Sequence, residues 1–166
     1  PHRATTEPSF NFLLSAQKEG SNIIQEFHES MTIRGGKLYA ILADVCSLSN
    51  TNGGTLFIGL SADSKKEPLG LFDVEKNIML LEKSISDRIS PPIDCKIDSH
   101  DLNGKKILRV LVPRGDDPPY ALDDYKIYIR EETETNLAVR DEIVNLVIRG
   151  KEISKQAGSI ESINKI

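Results

Sequence analysis

Seven cationic residues, Arg34, Lys37, Lys65, Lys66, Arg114, Lys126 and Arg130, fall in or beside segments that read as loops and strand ends. Gathered on one edge of a fold, they would neutralise phosphates. Arg34 beside Gly35-Gly36 and Arg130 at a strand end are the preferred contacts, because a guanidinium grips a phosphate bidentately and glycine lets the backbone approach closely. Tyr120, Tyr125 and Tyr128 are of the type that stacks on unpaired bases, and equally of the type that fills a core rim. Asn50, Asn52, Gly53 and Gly54 offer a turn whose successive amides can meet a phosphate. The same four residues also suit a helix end that turns the chain into a sheet. Glu67, Asp116 and Asp124 lie near the cations in sequence, as an ordinary solvated surface would have them.

Catalytic chemistry has thinner support. His28 could exchange protons or donate to a phosphate, but no second histidine stands in a motif-like relation to it. Three widely spaced histidines, His2, His28 and His100, and two cysteines make no recognisable metal-ligand spacing. Cys46 and Cys95 fall inside a helical and a strand pattern and read as small buried hydrophobes. Neither GxxxxGK[ST] nor GxGxxG occurs, so no nucleotide or other cofactor is expected.

The chain of 166 residues carries a net charge of -4, with 39% hydrophobic and 28% charged residues. That length fits one domain with a small appendage, and that composition fits a folded water-soluble chain. No apolar run approaches the roughly 18 residues a membrane-spanning helix needs. The first residues lack a cationic stretch followed by an apolar one, so an intracellular, cytoplasmic protein without membrane attachment is expected. Because the overall charge is acidic, any basic footprint has to be assembled by folding.

The elements that would assemble it can be read from periodicity. Ser21 to Ser30 alternates, with Ile24, Glu26 and His28 on one side and Ile23, Gln25 and Phe27 on the other, which suggests a half-buried strand. Leu38, Ile41, Leu42, Val45 and Leu48 share one helix face. Thr55 to Leu60 reads as a largely buried strand, and Leu42 and Val45 are expected to pack on the strand that contains Phe57. Asp73 is placed to cap a helix carrying Ile78, Leu81, Ile85 and Ile89, which Pro91-Pro92 stops. Asp94 to Ser99 and Lys105 to Val112 form a hairpin, with Asn103-Gly104 inside a slightly longer connection. Lys126 to Arg130 is a candidate third strand beside that hairpin. Val139, Ile143, Leu146 and Val147 predict a last helix ending near Arg149. The fold class expected is α+β: a mixed sheet with an antiparallel hairpin, covered by two or three amphipathic helices.

At this level of detail the text EFHES at 26–30, LADVCSLSNTNGGTLFIGL at 42–60, PPY at 118–120 and YIR at 128–130 resembles the AlbA_2 domain. This family is also called Schlafen AlbA_2 or divergent AAA-4, and is described as DNA-binding. The likeness runs from about Ser21 to Val147 and is most specific from Asn50 to Gly59. His28 replaces the usual lysine, Ser47 and Leu48 the usual alanine and aromatic residue, and Glu132 a usual glycine. The resemblance implies a nucleic-acid-binding module, DNA before RNA, in a transcriptional regulator. It also raises the Schlafen-like alternative of a metal-dependent endoribonuclease, for which Glu26 and Asp63 are the candidate carboxylates. Ser21 stands where that pattern expects a further glutamate, so no catalytic set is assigned.

The organisation expected is an arm or flank over 1–20, an AlbA_2-like domain over 21–150 and a tail over 151–166. Phe10, Phe12, Leu13 and Leu14, with the tail, supply apolar material for the other reading, a protein-interaction or homodimerisation domain.

Overall fold

The computed structural model describes residues 11–164. A short helix α1 (Phe12–Glu19) leads into strand β1 (Gln25–His28), and helix α2 (Lys37–Asn50) connects β1 to β2 (Gly54–Ile58). Helix α3 (Val74–Arg88), the two-residue β3 (Ile89–Ser90) and the hairpin of β4 (Lys96–Leu102) and β5 (Lys105–Val112) follow. The chain ends through β6 (Ala121–Leu122), β7 (Tyr128–Glu131), β8 (Glu134–Leu137) and the long helix α4 (Arg140–Asn164).

The main sheet has the order β1-β2-β5-β4, with β1 parallel to β2 and the other pairs antiparallel. Strand alternation divides its side chains between two cores. Leu56 and Ile58 of β2, with Leu108, Val110 and Val112 of β5, face α2 and α3. Phe27, Phe57 and Ile107 face the other way and are covered by Leu13 and Ala16 of α1. Leu42 and Val45 are therefore fully buried against Leu56 and Ile58, and the Phe57 side chain belongs to the opposite face. The first helical segment closes the domain's second core, although Phe12 and Leu14 stay exposed; Phe10 lies outside the described residues.

Every residue of α2 from Ile41 to Asn50 is buried, polar ones included. Its apolar stripe lies on the sheet, and the β7–β8 hairpin covers its back. That hairpin corrects the reading of 126–130 as a strand beside β4 and β5, because β7 pairs only with β8, across a turn in which Glu132 has φ 51°. The β4–β5 connection is a two-residue turn, with Asn103 and Gly104 both at positive φ as the primed hairpin turn requires. Asp73 precedes α3 in the left-handed region, and its side chain makes no cap bond. α4 continues through Gly150 to Asn164, well past Arg149. The expected α+β class, with a mixed sheet and helices on it, is what the chain adopts. No helix among the described residues is long and apolar enough to cross a membrane.

Candidate nucleic-acid interface

The parallel strands β1 and β2 both end where α2 begins, and this end of the sheet gathers three loops. The Gly59 amide donates to the His28 carbonyl, Gly70 donates to Gly59, and Leu71 donates to Lys106. These bonds sew the loop after β2 to the end of β1 and to the start of β5. Exposed Arg34, Lys37, Lys65 and Lys66 stand on the two loops and the first turn of α2, and the Lys66 Nζ lies 3.7 Å from Glu29. Lys76 of α3 and Lys105 and Lys106 of β5 join them, and sequence reasoning missed all three. Backbone bonds between segments far apart in the chain bring them there, and a lysine in a helix or hairpin carries no local signal of that. The acids here are partly committed: Lys106 pairs with Asp101 at 2.8 Å, and Asp63 accepts from the Lys65 amide. Glu67 and Asp73 remain beside the cations.

Two clefts open along this edge and share Ser30. One, of about 320 Å³, is lined by Phe27, His28, Glu29, Ser30, Lys37, Ser61 and Ala62. The other, of about 580 Å³, runs between Arg34 and Lys76 over Met31, Leu71 and Leu80, with Ile33 and Phe72 on its rim. Phe72 is 87% exposed.

Arg130 lies elsewhere, and the expectation that it meets a phosphate is corrected by its burial. Only 3% of it is exposed. Its guanidinium donates to the Asn22 and Gln25 carbonyls, to Thr135 Oγ1 at 3.1 Å and to Glu26 Oε1 at 2.8 Å, and lies 3.8 Å from Asp44 Oδ1. Glu26 also accepts from the Ser21 hydroxyl and from the Phe27 amide, so both its oxygens are engaged. Glu26 and Asp63 do not come together as a carboxylate site. Among the described residues, no group of three or more His, Cys, Asp or Glu is placed to hold a metal ion.

The turn after α2 is also structural. The Asn50 amide donates to the Tyr120 and Tyr128 carbonyls, and its oxygen accepts from the Tyr120 amide at 2.7 Å. A Cβ on Gly53 would sit 2.7 Å from the Arg114 nitrogen, and one on Gly54 would strike the Ile24 carbonyl. These glycines let the turn approach the backbone before β1 and the backbone at the end of β5 closely, so the turn faces protein backbone. Asn52 is exposed. Arg114 is exposed near Arg149, whose guanidinium is held below its ordinary pKa by burial first and by Arg114 second. Arg149 itself donates to the Asn50 carbonyl at 2.7 Å.

Lys126 forms a separate group with aromatic residues, its ammonium 5.1 Å from the Tyr39 ring centre and 5.5 Å from that of Tyr125. A hydrogen bond to Tyr39 is the main cause that raises its pKa. The Tyr39 and Tyr128 hydroxyls share a 2.7 Å bond, Tyr120 is buried, and Tyr125 is exposed. Cys46 is buried with its thiol pushed up to about 11, and Cys95 to about 12, chiefly by desolvation, so neither is an activated nucleophile.

The profile of the Schlafen AlbA_2 family matches residues 19–139. No curated protein matches the chain. Among solved structures the fold is similar to that of a protein from Corynebacterium diphtheriae, with a TM-score of 0.56 and 18% identity over 74% of this chain and 26% of that one. It is also similar to the N-terminal domain of a protein from Nitrosomonas europaea described as ATP-dependent DNA helicase RecG-related. There the TM-score is 0.51 and the identity 21%, over 61% of this chain and 71% of that one. At these identities the likeness is one of fold. The chain spans about a quarter of the length of the Corynebacterium protein.

Proposed function

The chain belongs to the Schlafen AlbA_2 family, and on that premise we propose that it is a nucleic-acid-binding module, of DNA before RNA, within a regulator of transcription. The observation that carries the reading is that Arg34 and Lys76 line one cleft and Lys37 the adjoining one, with Lys66 reaching Glu29 on that second lining, along one edge of an otherwise acidic molecule. Such an edge meets the phosphate backbone, which supplies most of the affinity and no base identity. The name of the similar Nitrosomonas europaea protein, DNA helicase RecG-related, agrees with it. Arg114 and Lys126 lie apart from this edge and are secondary contacts. A metal-dependent ribonuclease is less well supported, because Glu26 is already bound by Arg130, Ser21 and the Phe27 amide.

The test is titration of duplex DNA, single-stranded DNA and RNA over a salt series with wild type and Arg34→Ala. The variant should weaken unrelated sequences by similar factors and flatten the log affinity against log salt by up to about one unit. Absence of wild-type binding to all three at low salt overturns the reading. In that case the exposed Ile33, Leu69 and Phe72 beside the larger cleft favour a protein-interaction domain.

A further inference from the structure

The smaller cleft contains a histidine whose orientation is fixed from behind. His28 is the last residue of β1, and its Nε2 lies 2.5 Å from Asp44 Oδ2. A carboxylate only accepts, so Nε2 carries the hydrogen. Asp44 is buried, and its other oxygen accepts from the Thr135 hydroxyl at 2.6 Å. Thr135 in turn is bonded to Ser47 at 3.0 Å and to Arg130 at 3.1 Å. The imidazole is thus the outer end of a chain of bonds that runs through α2 to the β7–β8 hairpin. Its other nitrogen, Nδ1, has no partner among the described residues, and His28 lines the cleft.

Across the cleft stands Lys37, the first residue of α2, which is exposed and has no ion-pair partner among the described residues. The Ser61 side belongs to the loop after β2. Glu29 is the one acid on the lining, and Lys66 lies 3.7 Å from it. His28, Lys37 and Ser61 therefore line one space of about 320 Å³, ample for one tetrahedral oxyanion.

We propose that this cleft seats a single phosphodiester of a bound nucleic-acid strand, with His28 Nδ1–H and Lys37 Nζ as the two donors and Asp44 as the positioning residue behind His28. The proposal rests on the nucleic-acid reading and adds to it a fixed contact point. Charges on mobile surface lysines track a backbone loosely. A ring locked by a buried carboxylate holds one phosphate in one register. With the phosphate bound, the ring is in its imidazolium form, with one N–H held by Asp44 and the other by the phosphate oxygen.

Two measurements test this. Inorganic phosphate is titrated into protein labelled for imidazole nitrogen NMR, and a short fluorescent single strand is titrated into wild type, His28→Gln and Lys37→Met, each first shown to be folded by circular dichroism. Phosphate should shift the His28 Nδ1 resonance and leave His100 unmoved, and each variant should weaken the strand about tenfold. Asp44→Asn, if folded, should reduce the phosphate-induced shift at His28 while its strand affinity falls by less than in His28→Gln. Should Asp44→Asn fail to fold, the His28→Gln and Lys37→Met results decide alone. Wild-type strand binding that both variants retain overturns this inference and leaves the nucleic-acid reading standing. Failure of wild type to bind the strand overturns this inference, and the nucleic-acid reading falls with it only if duplex DNA and RNA are not bound either; an unmoved His28 resonance in phosphate overturns this inference independently.

Discussion

Two groups of charges occupy opposite situations in this small molecule. Around Arg130, charges of both signs are buried and each is answered: Glu26 and Asp44 from one side, the Asn22 and Gln25 carbonyls from another, and Thr135 between them. Around Arg34, Lys37, Lys65 and Lys66, the cations are exposed and, apart from the 3.7 Å approach of Lys66 to Glu29, without an ion-pair partner among the described residues. An arginine at a strand end looks the same in both settings. What separates them is whether the fold brings acceptors to it, and only the unanswered group has capacity left for a ligand.

The contrast is sharpest if one member of each group is removed. Arg130→Met should destabilise the domain by about 3–5 kcal/mol, because it leaves the buried Asp44 and the partly buried Glu26 without the cation between them. Denaturant midpoints would read this, and a midpoint near wild type would mean that the buried network is not structural. Lys65→Ala combined with Lys66→Ala should leave the midpoint within about 0.5 kcal/mol, as surface substitutions do. It should nevertheless reduce the salt slope of nucleic-acid binding by up to about two units. A large loss of stability with no change in slope would move these lysines into the structural group.

A third case lies between the two. Asp123 accepts both arms of the Arg88 guanidinium, at 2.8 and 2.7 Å, and that bond holds its carboxyl below the ordinary value of 3.8. The pair therefore stabilises the fold above about pH 4 and loses its contribution as pH falls through the lowered value. Asp123→Asn should make the melting temperature decline less steeply below about pH 4, by a degree or two, since a half-exposed pair contributes little. Identical acid limbs would show the pair to be silent. Asp98, lowered by Arg109 in the same way, would keep part of the acid sensitivity in the variant.

The elements with strong periodicity were legible in the sequence. α2, β2, α3 and the β4–β5 hairpin each announce themselves by spacing of apolar residues or by an Asn-Gly turn. β7–β8 does not, because its strands, YIRE and ETNL, have no apolar alternation and it closes over a helix rather than over a sheet face. The same hairpin buries the back of α2, so Asp44, Ser47 and Asn50, polar residues within an amphipathic pattern, could not be recognised as interior. Among the proposed contact residues, Arg34, Lys37, Lys65 and Lys66 follow from their place in or beside loops. Lys76 and Lys105 depend on the bonds from Gly70 to Gly59 and from Leu71 to Lys106, which no local pattern encodes. Arg130 reads as a surface contact for the mirror-image reason, since its acceptors Asn22 and Glu26 precede it by 108 and 104 residues.

Those separations also set an order of events during synthesis. Glu26 and Asp44 leave the ribosome long before the arginine that answers them, and until Tyr128 to Leu137 follow, α2 has only one of its two faces covered. The sheet's first strands can collapse early, but the compact domain cannot close until nearly all of it has been made. A nascent chain halted before Tyr128 should therefore remain open to protease at β1 and α2, and a chain released after Leu137 should become resistant in a single step.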